Sequence, residues 1–120
     1  MIAGGQKRVV LVTCGSLREA RRIARRVVEG RLAACANIVS APVESVYRWK
    51  GKVERAHEFL LVMKTTAKRL RELEREVKRL HSYDVPDIIA VSIAAGSRDY
   101  LGWLAECVSL TPLARRKRRR

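Results

Sequence analysis

The chain has 120 residues, 48% of them hydrophobic, which suits one domain with one core and leaves too little for a second. No apolar run approaches the roughly twenty residues of a membrane span, and the start lacks a secretory leader, so a cytoplasmic protein with no membrane partner is expected. The formal charge of +14 attracts polyanions without specificity and bears on association and solubility rather than on fold.

In residues 1–6 the adjacent glycines Gly4 and Gly5 break any pattern, which predicts a loose, flexible end. The run Val9, Val10, Leu11 and Val12 predicts a strand covered on both faces. Ser16 with Glu19 three residues on reads as a capping box, in which hydroxyl and carboxylate satisfy N–H groups that a helix start leaves unpaired. The helix that follows carries Ala20, Ile23, Ala24, Val27 and Val28 on one buried face, and Gly30 is its expected left-handed stop.

Residues 33–64 read as one long β-hairpin turning at Lys50 and Gly51, where glycine supplies the positive φ of a short loop. Each arm of about fourteen residues, at roughly 3.3 Å apiece, spans on the order of 45 Å. A domain of this size has a radius of gyration of only ~13–14 Å, so the hairpin must overhang its own fold. An overhanging edge exposes unpaired backbone groups beside apolar side chains, and a second copy of the chain is the expected cover. Pro42 cannot donate to a ladder, which makes the outgoing arm an edge strand, a bulge, or both. The return arm is most apolar over residues 59–63 and predicts a central, fully covered strand.

Thr65 or Thr66 is the expected cap of a second helix, with Leu70, Leu73, Val77 and Leu80 as its apolar stripe and Glu74 and Lys78 as an i,i+4 pair. Pro86 holds Val85 extended within the turn of residues 81–87. Residues 88–94 form the last predicted strand. Gly96 and Ser97 then open a third helix bearing Tyr100, Leu101, Trp103, Leu104 and Val108, ended by Pro112.

The order is βαββαβ with an extra C-terminal helix: an α+β, ferredoxin-like sandwich over residues 7–112, followed by a disordered basic tail over residues 113–120. Two helices cover one face of a four-stranded antiparallel sheet. The other face is apolar as well, and packing between subunits is the expected way to bury it.

Several stretches in order, Arg31-Leu32-Ala33-Ala34-Cys35-Ala36-Asn37-Ile38, Val46-Tyr47-Arg48-Trp49-Lys50-Gly51-Lys52, Leu61-Val62-Met63-Lys64-Thr65, His81-Ser82-Tyr83-Asp84-Val85-Pro86-Asp87-Ile88-Ile89 and Asp99-Tyr100-Leu101-Gly102-Trp103-Leu104, resemble the CutA divalent-cation tolerance proteins. The resemblance implies a ferredoxin-like subunit in a very stable cytoplasmic homotrimer, shaped like the PII signalling proteins and joined through the long hairpin. It also implies a link to tolerance of copper and other divalent cations, with no established catalysis. Some members bind copper through a first-strand cysteine and histidines just before a Tyr-x-x-Pro turn. That cysteine corresponds to Val12, with Cys14 two residues later, and of the histidines His81 remains, preceded by Leu80.

Cys14, Cys35, Cys107, His57 and His81 are the soft donors of the chain. Three cysteines, odd in number and far apart, exclude a disulfide framework and a paired-cysteine zinc site. They read first as small buried hydrophobes, and His81 as a turn or interface residue. As metal ligands, for copper or another divalent cation, His81 and Cys14 are the candidates, and no cofactor is required. Tyr47, Trp49, Lys64, Tyr83, Asp87, Tyr100 and Trp103 are expected at an inter-subunit cleft, as interface anchors or as the wall of a small-ligand pocket.

A nucleic-acid reading is weaker. Phe59 is the one phenylalanine, so the sheet has no aromatic platform of the RRM kind. Arg115, Arg116, Lys117, Arg118, Arg119 and Arg120 remain able to contact phosphates in a salt-dependent way. With no phosphate loop and no nucleophile elbow, catalysis is not expected. The abundance of Arg and Glu, with Gln6 and Asn37 as the sole side-chain amides, fits a thermostable protein. The reading is a non-catalytic trimer of the CutA kind that responds to metal ions or a small ligand. The alternatives are a structural or PII-like signalling trimer, or nucleic-acid association through the tail.

Overall fold

The longest strand, β5 (Lys52–Thr66), is the spine on which the other elements are laid. The computed structural model describes residues 1–109. They run β1 (Ile2–Ala3), β2 (Lys7–Cys14), α1 (Leu17–Glu29), β3 (Cys35–Ile38), β4 (Val43–Trp49) and β5, then a 3₁₀ turn (Ala67–Arg69), α2 (Leu70–Leu80), β6 (Ile88–Ser92), β7 (Ala95–Gly96) and α3 (Arg98–Cys107). The main sheet has the order β3-β5-β2-β6, with β4 continuing β3's side along β5 and every pairing antiparallel. The fold is therefore mixed α+β, with three helices on antiparallel sheets.

Register decides which face forms the core. Val10 lies opposite Met63 and Ala90, and Val12 opposite Leu61 and Ile88. Val10, Val12, Cys14, Leu61 and Met63 are buried beneath Ala20, Ile23, Ala24 and Val27 of α1 and Leu73, Val77 and Leu80 of α2. Because side chains alternate along a strand, the same register turns Val9, Leu11, Val62, Ile89 and Val91 to the opposite face. There Ile89 and Val91 are 52% and 47% exposed. The strands expected to be covered on both faces are thus covered on one within a single chain, and an apolar band is left facing outward.

The hairpin forms with Lys50 (φ 50°) and Gly51 (φ 81°) as a two-residue turn, both in the left-handed region that such turns demand. Its outgoing arm is interrupted. Ile38 pairs with Leu61 and Val43 with Glu58, so residues 39–42, Pro42 included, stand against only Phe59 and Leu60. This is the bulge that the proline foretold. The hairpin gives the chain its length, 50 × 26 × 26 Å. Among the described residues no helix is long and apolar enough to cross a membrane.

Several local expectations are corrected. Residues 1–6, expected to be loose, include β1, which pairs with β7. Gly4 donates to Ala94 O at 3.0 Å, and a Cβ there would sit 1.7 Å from Ile93 O. Neither Thr65 nor Thr66 caps α2. The Thr65 hydroxyl donates to Leu32 O at 2.7 Å, and Thr66 precedes the 3₁₀ turn without a side-chain cap bond. The last main-sheet strand ends at Ser92, two residues early, because the chain then turns to form β7. Helix α3, capped by Ser97 as expected, ends at Cys107, before Pro112. Pro112 and the basic tail, Arg115 to Arg120, lie outside the described residues.

The stop of α1 also differs. Gly30 has φ −81°, and Arg31 takes the left-handed conformation instead, with φ 59°. Leu32 N donates to Val27 O and Arg31 N to Val28 O, the paired bonds of a Schellman end in which glycine is the favoured left-handed residue. Arg31→Gly should therefore raise stability by roughly 0.5–1 kcal/mol, relief of side-chain strain exceeding the added unfolded-state entropy. An upward shift of the thermal midpoint by a few degrees checks this.

Candidate metal centre and the adjoining cleft

Three element ends meet at one point: Cys14 closes β2, Glu19 lies in the first turn of α1, and His81 caps the C-terminus of α2. One ligand atom from each, the Cys14 Sγ, a Glu19 carboxylate oxygen and a His81 ring nitrogen, all lie within 4.8 Å of one another. The helix start explains Glu19 in part. Ser16 Oγ accepts from Glu19 N at 3.1 Å as a cap should. The Glu19 carboxylate, however, reaches across to the α2 end instead of completing the box, and its Oε1 accepts from Ser82 N at 3.0 Å.

His81 is fixed at both nitrogens. Nε2 donates to Thr13 O at 2.8 Å, since a carbonyl can only accept, which leaves Nδ1 as the acceptor from Tyr83 N at 3.1 Å. Glu19 Oε2 lies 3.6 Å from that Nδ1, buried and, among the described residues, without a hydrogen-bond partner. An orphaned buried carboxylate oxygen is unfavourable unless something positive completes it. Cys14 is fully buried, and burial, with the nearby charges of Glu19 and then Glu58, pushes its thiol up to about 12. Sulfur, imidazole nitrogen and carboxylate oxygen together form a donor set that suits copper or zinc. The residues present therefore fit a metal ion, which would take Nδ1 from the Tyr83 N–H, displace the Cys14 proton and satisfy Glu19 Oε2.

Beside this cluster lies a cleft of about 620 Å³ between the β4–β5 hairpin and the turn of residues 81–87. Of the seven residues expected at an inter-subunit cleft, Tyr47, Trp49, Tyr83 and Asp87 line it. Tyr83 donates to Glu58 Oε2 at 2.7 Å. Burial, then that bond and the Glu58 charge, push the phenol well above its ordinary range. Gly15 makes room for the ring: a Cβ there would stand 3.1 Å from the Tyr83 hydroxyl.

Lys64, Tyr100 and Trp103 do not join the cleft within one chain. They form a second group against β3, with Lys64 Nζ 5.9 Å from the Tyr100 ring centre and 2.8 Å from Asn37 Oδ1. The Tyr100 and Trp103 ring centres are 5.5 Å apart, and Cys35 Sγ lies 3.4 Å from Tyr100 Oη. His57 is exposed on β5 opposite Glu44. Cys14 and His81, the two candidate ligands named from sequence, thus lie together with Glu19, which the sequence assigns to a cap, whereas Glu58 carries no motif.

A family model described as "CutA1 divalent ion tolerance protein" matches residues 8–107. The divalent-cation tolerance protein CutA of Thermus thermophilus is 51% identical over 98 residues, covering 82% of this chain and 94% of the relative. That of Archaeoglobus fulgidus is 43% identical over 99 residues, covering 82% and 95%. Among solved structures, the Thermus thermophilus protein matches with a TM-score of 0.80 at 50% identity, over 82% of this chain and 94% of that one. The Archaeoglobus fulgidus protein, described as periplasmic, matches with a TM-score of 0.82 at 42% identity, over 86% and 99%. The matched span covers the metal cluster, the cleft and the hairpin alike, and the chain belongs to the CutA1 divalent ion tolerance family.

Proposed function

We propose that the chain works in the cytoplasm as a non-catalytic homotrimer that captures copper or zinc at Cys14, Glu19 and His81. The observation that carries this reading is the convergence of three donor atoms within 4.8 Å, one of them an orphaned buried carboxylate oxygen. The name borne by the relatives, divalent-cation tolerance protein, agrees with it. Free cysteines suit a reducing compartment.

The assembly has its own support. The strand order β3-β5-β2-β6 with helices α1 and α2 on one face supports reading the subunit as ferredoxin-like. Such a subunit leaves the outer band of Val9, Leu11, Val62, Ile89 and Val91 to be covered. Among the described residues strands β4 and β6 are each paired on one side alone, so each offers an open edge to another copy. A head-to-tail contact between unlike surfaces closes into a ring when the rotation per copy allows it.

Titration with Cu(I) and Zn(II) against a competing chelator, and with Co(II) as a spectroscopic probe, tests the metal reading. One ion per chain, a Kd tighter than ~10 μM and a thiolate-to-cobalt charge-transfer band are expected. Cys14→Ser should remove the band and weaken binding on the order of 100-fold. Binding weaker than ~10 μM, or a band that survives in Cys14→Ser, would overturn the assignment.

A further inference from the structure

The cleft beside the metal cluster has a chemistry of its own. Its wall holds three carboxylates, Glu58, Asp84 and Asp87, and three aromatic rings, Tyr47, Trp49 and Tyr83, with no Lys, Arg or His. This stands out in a chain with 26 Lys and Arg against 12 Asp and Glu. Among the described residues none of the three carboxylates is in an ion pair. Glu58 is 6% exposed, and the Tyr83 hydroxyl occupies its Oε2 alone. A buried carboxylate without a counter-charge is unfavourable, and a positive group in the cleft would supply one.

The rings narrow the class of cation. A metal ion gains from converging oxygen ligands and little from aromatic walls. Among the described residues the group that meets metal-binding distances is Cys14, Glu19 and His81, not the cleft carboxylates. An organic ammonium or guanidinium, by contrast, gains both from carboxylates and from aromatic faces. Trp49 already attracts such a charge, with Lys50 Nζ 5.9 Å from its ring centre. A volume of about 620 Å³ falls within the usual range for small-molecule sites.

We infer that this cleft is a binding site for a small organic cation, an ammonium or guanidinium on an apolar body, with Glu58, Asp84 and Asp87 as counter-charges and Tyr47, Trp49 and Tyr83 as walls. The inference is independent of the metal reading, because no residue of the Cys14–Glu19–His81 cluster lines the cleft.

Calorimetric titration of the full chain in amine-free buffer at neutral pH tests it, with benzylammonium as the probe and benzyl alcohol and benzoate as neutral and anionic counterparts. Benzylammonium should bind one per chain, with a Kd on the order of 1 mM or tighter for so small a probe. The alcohol and benzoate should bind at least about tenfold more weakly. The double variant Asp84→Asn/Asp87→Asn, at two exposed positions, should lose about tenfold, Glu58→Gln a similar factor and Trp49→Leu severalfold. Glu29→Gln, remote on α1, should change nothing. Alcohol binding equal to ammonium, or an unaltered double variant, would refute the site. Magnesium binding without benzylammonium binding would reassign the carboxylates to a hard metal. No heat with any probe up to about 10 mM, with an oligomer loosened by Glu58→Gln, would assign them instead to a neighbouring subunit's basic side chain.

Discussion

If the chain assembles as the proposed homotrimer, Val91→Asp is expected to leave folded single chains at micromolar concentration. Val91 is 47% exposed and lies opposite Val9 on the outer sheet face, next to the Leu11–Ile89 pair. In a lone chain an aspartate there remains in water and leaves the core of Val10, Val12, Leu61 and Met63 untouched. In an assembly that buries this band, each copy would hold an unpaired carboxylate in an apolar interface, at a cost of several kcal/mol per copy. Symmetry repeats the penalty in every subunit. Sedimentation velocity should give the mass of one chain, with far-ultraviolet circular dichroism unchanged. Val28→Asp, exposed on α1, should leave the assembly intact. A Val91→Asp protein that sediments with the parent mass would show that subunits meet elsewhere.

The features read correctly from sequence are those governed by one dominant local force. Continuous apolar runs set β2, β5 and β6, the spacing of Leu73, Val77 and Leu80 set α2, and Ser16 and Ser97 each receive the backbone N–H three residues on. Where two residues competed for one role, proximity in sequence could not decide. Arg31 rather than Gly30 took the left-handed position, since the Schellman bonds fix which residue follows the last turn. Thr65 was drawn from the cap by the Leu32 carbonyl, 33 positions away along the chain. The strand at Ile2 was invisible because its partner, Ala95–Gly96, is supplied by the far end of the fold. Glu19 and Glu58 escaped for the same reason: their significance lies in His81, Ser82 and Tyr83, which come near only once α2 has folded back. The split of the expected aromatic set into a Tyr47–Trp49–Tyr83–Asp87 cleft and a Lys64–Tyr100–Trp103 group follows from the length of β5, which holds Glu58 and Lys64 six residues apart.

Alkaline pH should tighten metal binding while it weakens the metal-free fold, and Cys14 is the most deeply buried group behind both effects. Its thiol is held up to about 12, against an ordinary value of 9.0, chiefly by burial. A metal ion must displace that proton to take the thiolate, so below pH 12 the thiol alone makes apparent affinity rise tenfold per pH unit, about a hundredfold from pH 6.5 to 8.5. Without metal the direction reverses. The unfolded chain loses the same proton first, as pH passes about 9, whereas the folded chain keeps it to about pH 12. The stability that comes from holding the thiol neutral is therefore complete below pH 9, declines by about 1.4 kcal/mol per unit above it, and is spent near pH 12. Chelator competition across the neutral range and urea unfolding across the alkaline range measure the two slopes separately. Cys14→Ser, which has no thiol to titrate at that position, should flatten the affinity slope and reduce the stability slope to the share left by Cys107 and Tyr83, which burial also holds above their ordinary values. An affinity independent of pH in the parent protein would place the bound ion away from Cys14, and an alkaline stability slope as steep in Cys14→Ser as in the parent would assign that slope to other groups.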